Sequence, residues 1–169
     1  MKHIISFLFI IAIIFSISSV NAQGPVGPGQ KQLNAGLGFS DRGLPIYVGL
    51  DFGVHPDITV GSEISFRAYN EKFKDDYYFH QIIGFIGNGN YHFNTLFKLP
   101  PEWNVYAGLN IGFFARSSPD YYPGTEFSGL RLGAQIGGRY YFNDRFGINL
   151  EIGGGSVFNE GKFGISFKL

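Results

Sequence analysis

Between residues 32 and 169, apolar and non-apolar side chains alternate at period two, run after run. The stretch 129–143, GLRLGAQIGGRYYFN, shows it best. Leu130, Leu132, Ala134, Ile136, Tyr140 and Phe142 share one parity, while Arg131, Gln135, Arg139 and Tyr141 share the other. Successive side chains of a β-strand point to opposite faces, so this is a strand with one apolar and one polar face. The pattern predicts eight strands, at 32–40, 45–54, 58–69, 78–93, 103–114, 129–143, 146–153 and 162–169. Each is close to the ~10 residues of a tilted membrane strand. The connectors VHPDI and FNDRF are tight turns built on Pro, Asn and Asp. NEKFKDD, RSSPDYYPGTEFS and GGSVFNEG are longer and polar. No helical period is expected between the strands.

The two faces decide the surroundings. A strand face in water normally carries many charges. Here the non-apolar faces are mostly Gly, Asn, Ser, Tyr and Gln, and charged residues are 15% of the chain, against a usual ~25%. The apolar faces are nearly unbroken from strand to strand. Lipid outside and polar groups inside fit that pattern, and hydrocarbon requires every strand edge to be closed. The predicted fold is all-β: a closed antiparallel up-and-down transmembrane β-barrel of about eight strands, spanning 32–169. Two aromatic girdles are expected. Phe52, Tyr91, Phe93, Trp103, Tyr140, Phe142, Phe146 and Phe167 lie near the tight-turn ends of their strands. Phe39, Phe66, Phe79, Phe113 and Phe163 lie nearer the long-loop ends. An even strand count brings both termini to one side.

The first residues add a compartment. Lys2, the apolar run 4–17 and Val20-Asn21-Ala22 predict a signal peptide at 1–22, cleaved after Ala22. The Pro/Gly-rich segment 23–31 reads as a flexible tail. There is no cysteine, so disulfides and thiol catalysis are excluded. The 13 basic and 13 acidic residues balance, and no nucleic-acid partner is expected.

The final strand, KFGISFKL, resembles the C-terminal assembly signal of bacterial outer-membrane barrels. Lys162, Gly164, Phe167 and Leu169 fall on its polar, glycine and hydrophobic positions, with Leu169 where the signal usually has an aromatic. GNYHFN at 89–94 also looks like a strand end of such barrels. From about residue 32 the chain resembles the small eight-stranded barrels of the OmpA and OmpX type. That resemblance implies the bacterial outer membrane, contact with its lipid, periplasmic N- and C-termini and insertion by the barrel-assembly machinery. It implies little about activity, because the fold hosts many functions.

On the inward parity lie Asp51, Glu63, Arg67, Arg131, Arg139 and Glu151, expected to form a charge network filling the lumen. Lys162 shares that parity and is expected near the mouth. Inward glycines such as Gly84 and Gly108 leave open a real cavity. His55, His80 and His92 are spread along the chain, with no nucleophile, base and orienting partner evident. No catalytic, cofactor or metal residues are assigned. The loop 116–128 carries Tyr121, Tyr122 and Phe127 and is the candidate surface for an extracellular partner. The expected role is structural or surface-interacting, with a plugged lumen. The alternatives are a narrow passive pore for small solutes and a lipid-modifying enzyme.

Overall fold

The alternating runs become eight strands because each can bury its polar face against the other seven only by curling the sheet shut. The computed structural model describes residues 26–40, 43–73, 76–119, 122–124, 128–155 and 159–169. The signal peptide expected at 1–22 and part of the 116–128 loop lie outside the described residues. The strands are β1 (Lys31–Ser40), β2 (Ile46–His55), β3 (Ile58–Phe73), β4 (Asp76–His92), β5 (Trp103–Ser117), β6 (Gly129–Tyr141), β7 (Phe146–Gly155) and β8 (Asn159–Lys168). Each pairs antiparallel with its chain neighbours, and β1 closes on β8 with Gln32 opposite Lys168.

The polarity is inverted relative to a protein folded in water. Leu37, Ile46, Phe85, Leu109, Leu132 and Ile152 face outward and are exposed. Arg67, His80, His92, Gln32, Asn104 and Thr59 face inward and are fully or almost fully buried. The tight-turn end carries a belt of packed rings. Trp103 and Tyr140 are 4.9 Å apart, Tyr140 and Phe142 5.4 Å, and Phe142 stacks on Phe146 at 6.0 Å.

Three expectations are corrected. The segment 70–76 is not a long loop: β3 and β4 stay paired up to Phe73 opposite Asp76. A short helix, α1 (Asn94–Phe97), links β4 to β5 where no helix was expected. The segment read as a flexible tail is held over its described part. Val26 is fully buried. The Gly29 amide donates to Gly53 O at 2.9 Å, and the Gly53 amide donates to Gln30 O at 3.0 Å. Residue 53 must be glycine for this approach, since a Cβ there would overlap the carbonyl oxygens of Val26 and Gly27.

Candidate functional site

The inward residues stack in layers along the lumen. At the end holding the termini, β3, β4 and β5 bring together Thr59, His92 and Asn104. His92 Nε2 lies 2.9 Å from Thr59 Oγ1, and its Nδ1 lies 2.9 Å from Asn104 Nδ2. On the opposite wall the Tyr141 hydroxyl donates to Gln32 Oε1. Gln32 donates to Asn34 at 2.8 Å, and Asn34 donates to Asp51 at 2.9 Å. These links join the floor to the centre.

Charge collects at the centre. Arg139 Nη2 donates to Asp51 Oδ2 at 2.7 Å, and its guanidinium sits 4.4 Å over the Tyr106 ring. Lys162 Nζ is 2.8 and 2.9 Å from the two Glu63 oxygens and 3.3 Å from Glu151. The Tyr106 hydroxyl donates to Glu151 at 2.9 Å. Ion pairs in a confined interior hold only when both partners are present and further hydrogen bonds satisfy the remaining atoms. Here Asn34 supplies one to Asp51 and Tyr106 one to Glu151, while Arg139 Nε and Nη1 are buried with no hydrogen-bond partner among the described residues, the guanidinium lying over the Tyr106 ring. The free space among these groups is about 20 Å³, roughly what one water needs. Gly49 lines this space, but Gly84 and Gly108 do not enlarge it. The space over Gly108 is taken by the Asn90 amide, and that over Gly84 by the Phe114 ring.

Above the charges apolar side chains enter the lumen beside Ser65 and Arg67. The Phe114 ring lies across Gly84 and Gly112, beside Ile86. Ile82, the next inward residue of β4 beyond Gly84, is buried. At the loop end a second polar cluster forms around Glu71. Arg116 donates to Glu71 Oε2 at 2.8 Å, and the Tyr122 hydroxyl donates to the same oxygen at 3.3 Å. His80 Nε2 is 3.4 Å from that oxygen, and His80 Nδ1 is 2.8 Å from Ser118 Oγ. The imidazole is flanked by Tyr69 at 5.3 Å and Tyr122 at 4.6 Å. Tyr122 thereby ties the loop after β5 down to β3 and β4.

Of the residues expected to share the lumen network, Asp51, Arg139, Glu63 and Glu151 meet at the centre. Lys162, expected near the mouth, is the counter-ion of both glutamates. Arg67 is buried higher up, donating to Ser40 Oγ at 3.1 Å. Arg131 lies near the loop-end rim, half-buried, and donates to Leu130 O at 3.0 Å. Gly164 and Phe167 sit on β8 against Gly36 and Leu33 of β1, at the closing seam. The cluster of Glu71, His80, Arg116 and Ser118 was not foreseen. Its signal was available: Glu71 continues the inward parity of Glu63 and Arg67, and Arg116 continues that of Tyr106 and Asn110.

No family model matches the chain, and no curated protein matches it. Solved structures do. The N-terminal β-barrel domain of Pseudomonas aeruginosa OprF is similar at 12% identity with a TM-score of 0.64, over 85% of this chain and 99% of that one. The outer membrane protein OprG of Pseudomonas aeruginosa is similar at 7% identity with a TM-score of 0.71, over 89% and 99%. Ail, the attachment invasion locus protein of Yersinia pestis, is similar at 11% identity with a TM-score of 0.53, over 84% and 99%. What this chain shares with all three is a fold: the closed, eight-stranded, antiparallel barrel of small outer-membrane proteins.

Proposed function

We propose that this chain is an integral outer-membrane β-barrel with both termini in the periplasm. Its lumen is closed by its own side chains, and its role is structural or surface-interacting through the loop end. The observation that carries this is the inverted polarity, an apolar exterior around a filled polar interior. On β3 the outward positions Ile58, Val60, Ile64 and Phe66 are exposed and apolar, and beyond them come Asn70 and Lys72. From Ile58 to Phe66 is about 20 Å of height at the usual strand tilt, close to the ~25 Å apolar band of membrane barrels. The orientation rests on the longest connection, 118–128, lying at the end away from the termini, and on the tight turns 56–57 and 142–145 at the terminal end, which also carries the 93–102 connection, since periplasmic connections are short and extracellular ones long. On this reading the KFGISFKL strand is the feature presented to the barrel-assembly machinery, and the 116–128 loop is the surface offered to an extracellular partner.

The ~20 Å³ of central space and the Phe114 layer support a plugged lumen over a passive pore. Recording from purified protein in a planar bilayer tests this. Silence supports closure, and stable, large openings of the wild type overturn it. Epitope insertion beside Gly124 on intact cells tests the orientation, which labelling only after permeabilisation would reverse.

A second reading rests on one observation. Ser118, His80 and Glu71 stand in the order of a nucleophile, a base and an orienting carboxylate, at 2.8 and 3.4 Å. This is the arrangement a lipid-modifying or other acyl-transfer enzyme would use. Against it, Glu71 already neutralises Arg116 and the imidazole is fully buried. A fluorophosphonate probe decides the matter: labelling that disappears in Ser118→Ala supports an enzyme, and no labelling removes it.

A further inference from the structure

Three connections join strands at the end that holds the termini. Two are polar and tight. β2 turns into β3 through Pro56-Asp57, and β6 turns into β7 through Phe142-Asn143-Asp144-Arg145, where Asn143 Oδ1 accepts from the Arg145 and Phe146 amides. The third, between β4 and β5, has a different chemistry. It reads Phe93-Asn94-Thr95-Leu96-Phe97-Lys98-Leu99-Pro100-Pro101 and has no charge before Lys98.

Its geometry is fixed from the inner side. Asn94 is the buried residue of α1, and its side-chain amide donates to Trp103 O. Asn104 donates to Asn94 Oδ1 at 2.9 Å, and Thr95 donates to Asp57 at 2.6 Å. The Leu99 amide closes the turn on Asn94 O at 3.0 Å, with Lys98 left-handed at φ 52°. These bonds leave Leu96 and Phe97 pointing away from the barrel, 62% and 61% exposed.

Those two side chains do not stand alone. Phe97 stacks on Phe93 at 5.6 Å, and Phe93 meets Tyr91 at 5.2 Å. Tyr91 belongs to the outward apolar face of β4, and Trp103 continues the belt on β5. The helix is therefore an extension of the outer apolar wall.

We propose that 94–99 is a membrane foot. Leu96 and Phe97 enter the boundary between headgroups and acyl chains of the phospholipid leaflet at the terminal end, and Lys98 reaches its phosphates. An apolar face with a lysine beside it is what a short interfacial segment needs, and aromatic residues favour that depth. The occupant is phospholipid because the patch is continuous with the lipid-facing wall through Phe93 and Tyr91. The foot rests on the membrane-barrel reading above, and the test separates the two.

The chain has no cysteine, so single nitroxide labels can be placed at Leu96, Phe97, Leu109 and Arg145. Leu109 is 72% exposed on the outer wall, and Arg145 is exposed in a polar turn at the same end. The protein is reconstituted into phosphatidylethanolamine–phosphatidylglycerol vesicles, and collisions with oxygen and with a water-soluble nickel chelate are compared. The expected oxygen-to-nickel ratio at 96 and 97 is several-fold above that at 145 and approaches that at 109. Water-like ratios at 96 and 97 with a lipid-like ratio at 109 would overturn the foot and leave the barrel in its membrane. Water-like ratios at all four positions would overturn the membrane reading and the foot with it.

Discussion

Replacing Lys162 by methionine removes one ammonium and strands two carboxylates. Its Nζ lies 2.8 Å from Glu63 and 3.3 Å from Glu151, and the side chains are only 9–14% exposed. At an effective dielectric constant of ~20, the gross attraction is about 6 kcal/mol to Glu63 and about 5 kcal/mol to Glu151. Desolvation already offsets most of that in the wild type. The net loss on breaking a buried pair is therefore smaller, about 3–5 kcal/mol. Every 1.4 kcal/mol is tenfold, so the folding equilibrium should fall by at least about a hundredfold. Urea unfolding in lipid vesicles, followed by the fluorescence of the single tryptophan Trp103, gives the number. Migration of unheated samples on a gel gives the folded fraction independently. The triple variant Lys162→Met, Glu63→Gln, Glu151→Gln carries no stranded charge and should recover to within about 1 kcal/mol of wild type. Two results would refute the reasoning: Lys162→Met within about 1 kcal/mol of wild type, or a triple variant no better than the single.

Three further outcomes are expected. Gly53→Val should displace the 26–30 strap, because its side chain would occupy the space of the Val26 and Gly27 carbonyls; new cleavage near residue 30 by a protease added at the terminal end measures this, and an unchanged digest would count against it. Phe114→Ala should destabilise the barrel by about 2 kcal/mol, since the ring is only partly buried, yet leave it non-conducting because the charged layer beneath remains; steady current from this variant would contradict the layered closure. Deleting 167–169 should lower the amount reaching the outer membrane more than it lowers the stability of protein refolded in detergent; normal outer-membrane levels would reject the assembly role of KFGISFKL.

Strand number, polarity and inward parity were legible because lipid and lumen impose opposite demands on successive residues. At 70–76 that contrast ends, and the pattern resembles a loop. Beyond Phe66 the outward positions of β3 turn polar at Asn70 and Lys72, so both faces meet polar surroundings and alternation fades. Glu71 then looks like part of a loop although it sits on a paired strand opposite Tyr78. The four residues of α1 are too few to show a helical period. The strap at 26–30 has the composition of a loose tail, and its place is set by contact with Gly53, which lies over twenty residues away. For Lys162 the parity gives the inward face and leaves the depth open. Height in a barrel depends on the stagger between strands, and here that stagger places a residue near the start of β8 level with Glu63 in mid-β3.

The strands are unequal in length, and this gives the barrel a bevelled rim. β1, β2, β7 and β8 have 10 residues each, while β3 and β4 have 16 and 17. Ten residues at a tilt of ~40° rise about 25 Å, just the thickness of the apolar band, and seventeen rise about 43 Å. Over the described residues the low wall thus has no spare length, while the tall wall overshoots by about 18 Å. Such a tube behaves as a depth gauge. Sinking would drown Asn70 and Lys72 on the tall side, and rising would lift the exposed Phe39 and Phe163 out of lipid on the low side. The membrane level is therefore set on two opposite walls by different residues, and a change that lets the barrel ride up on one side must tilt it.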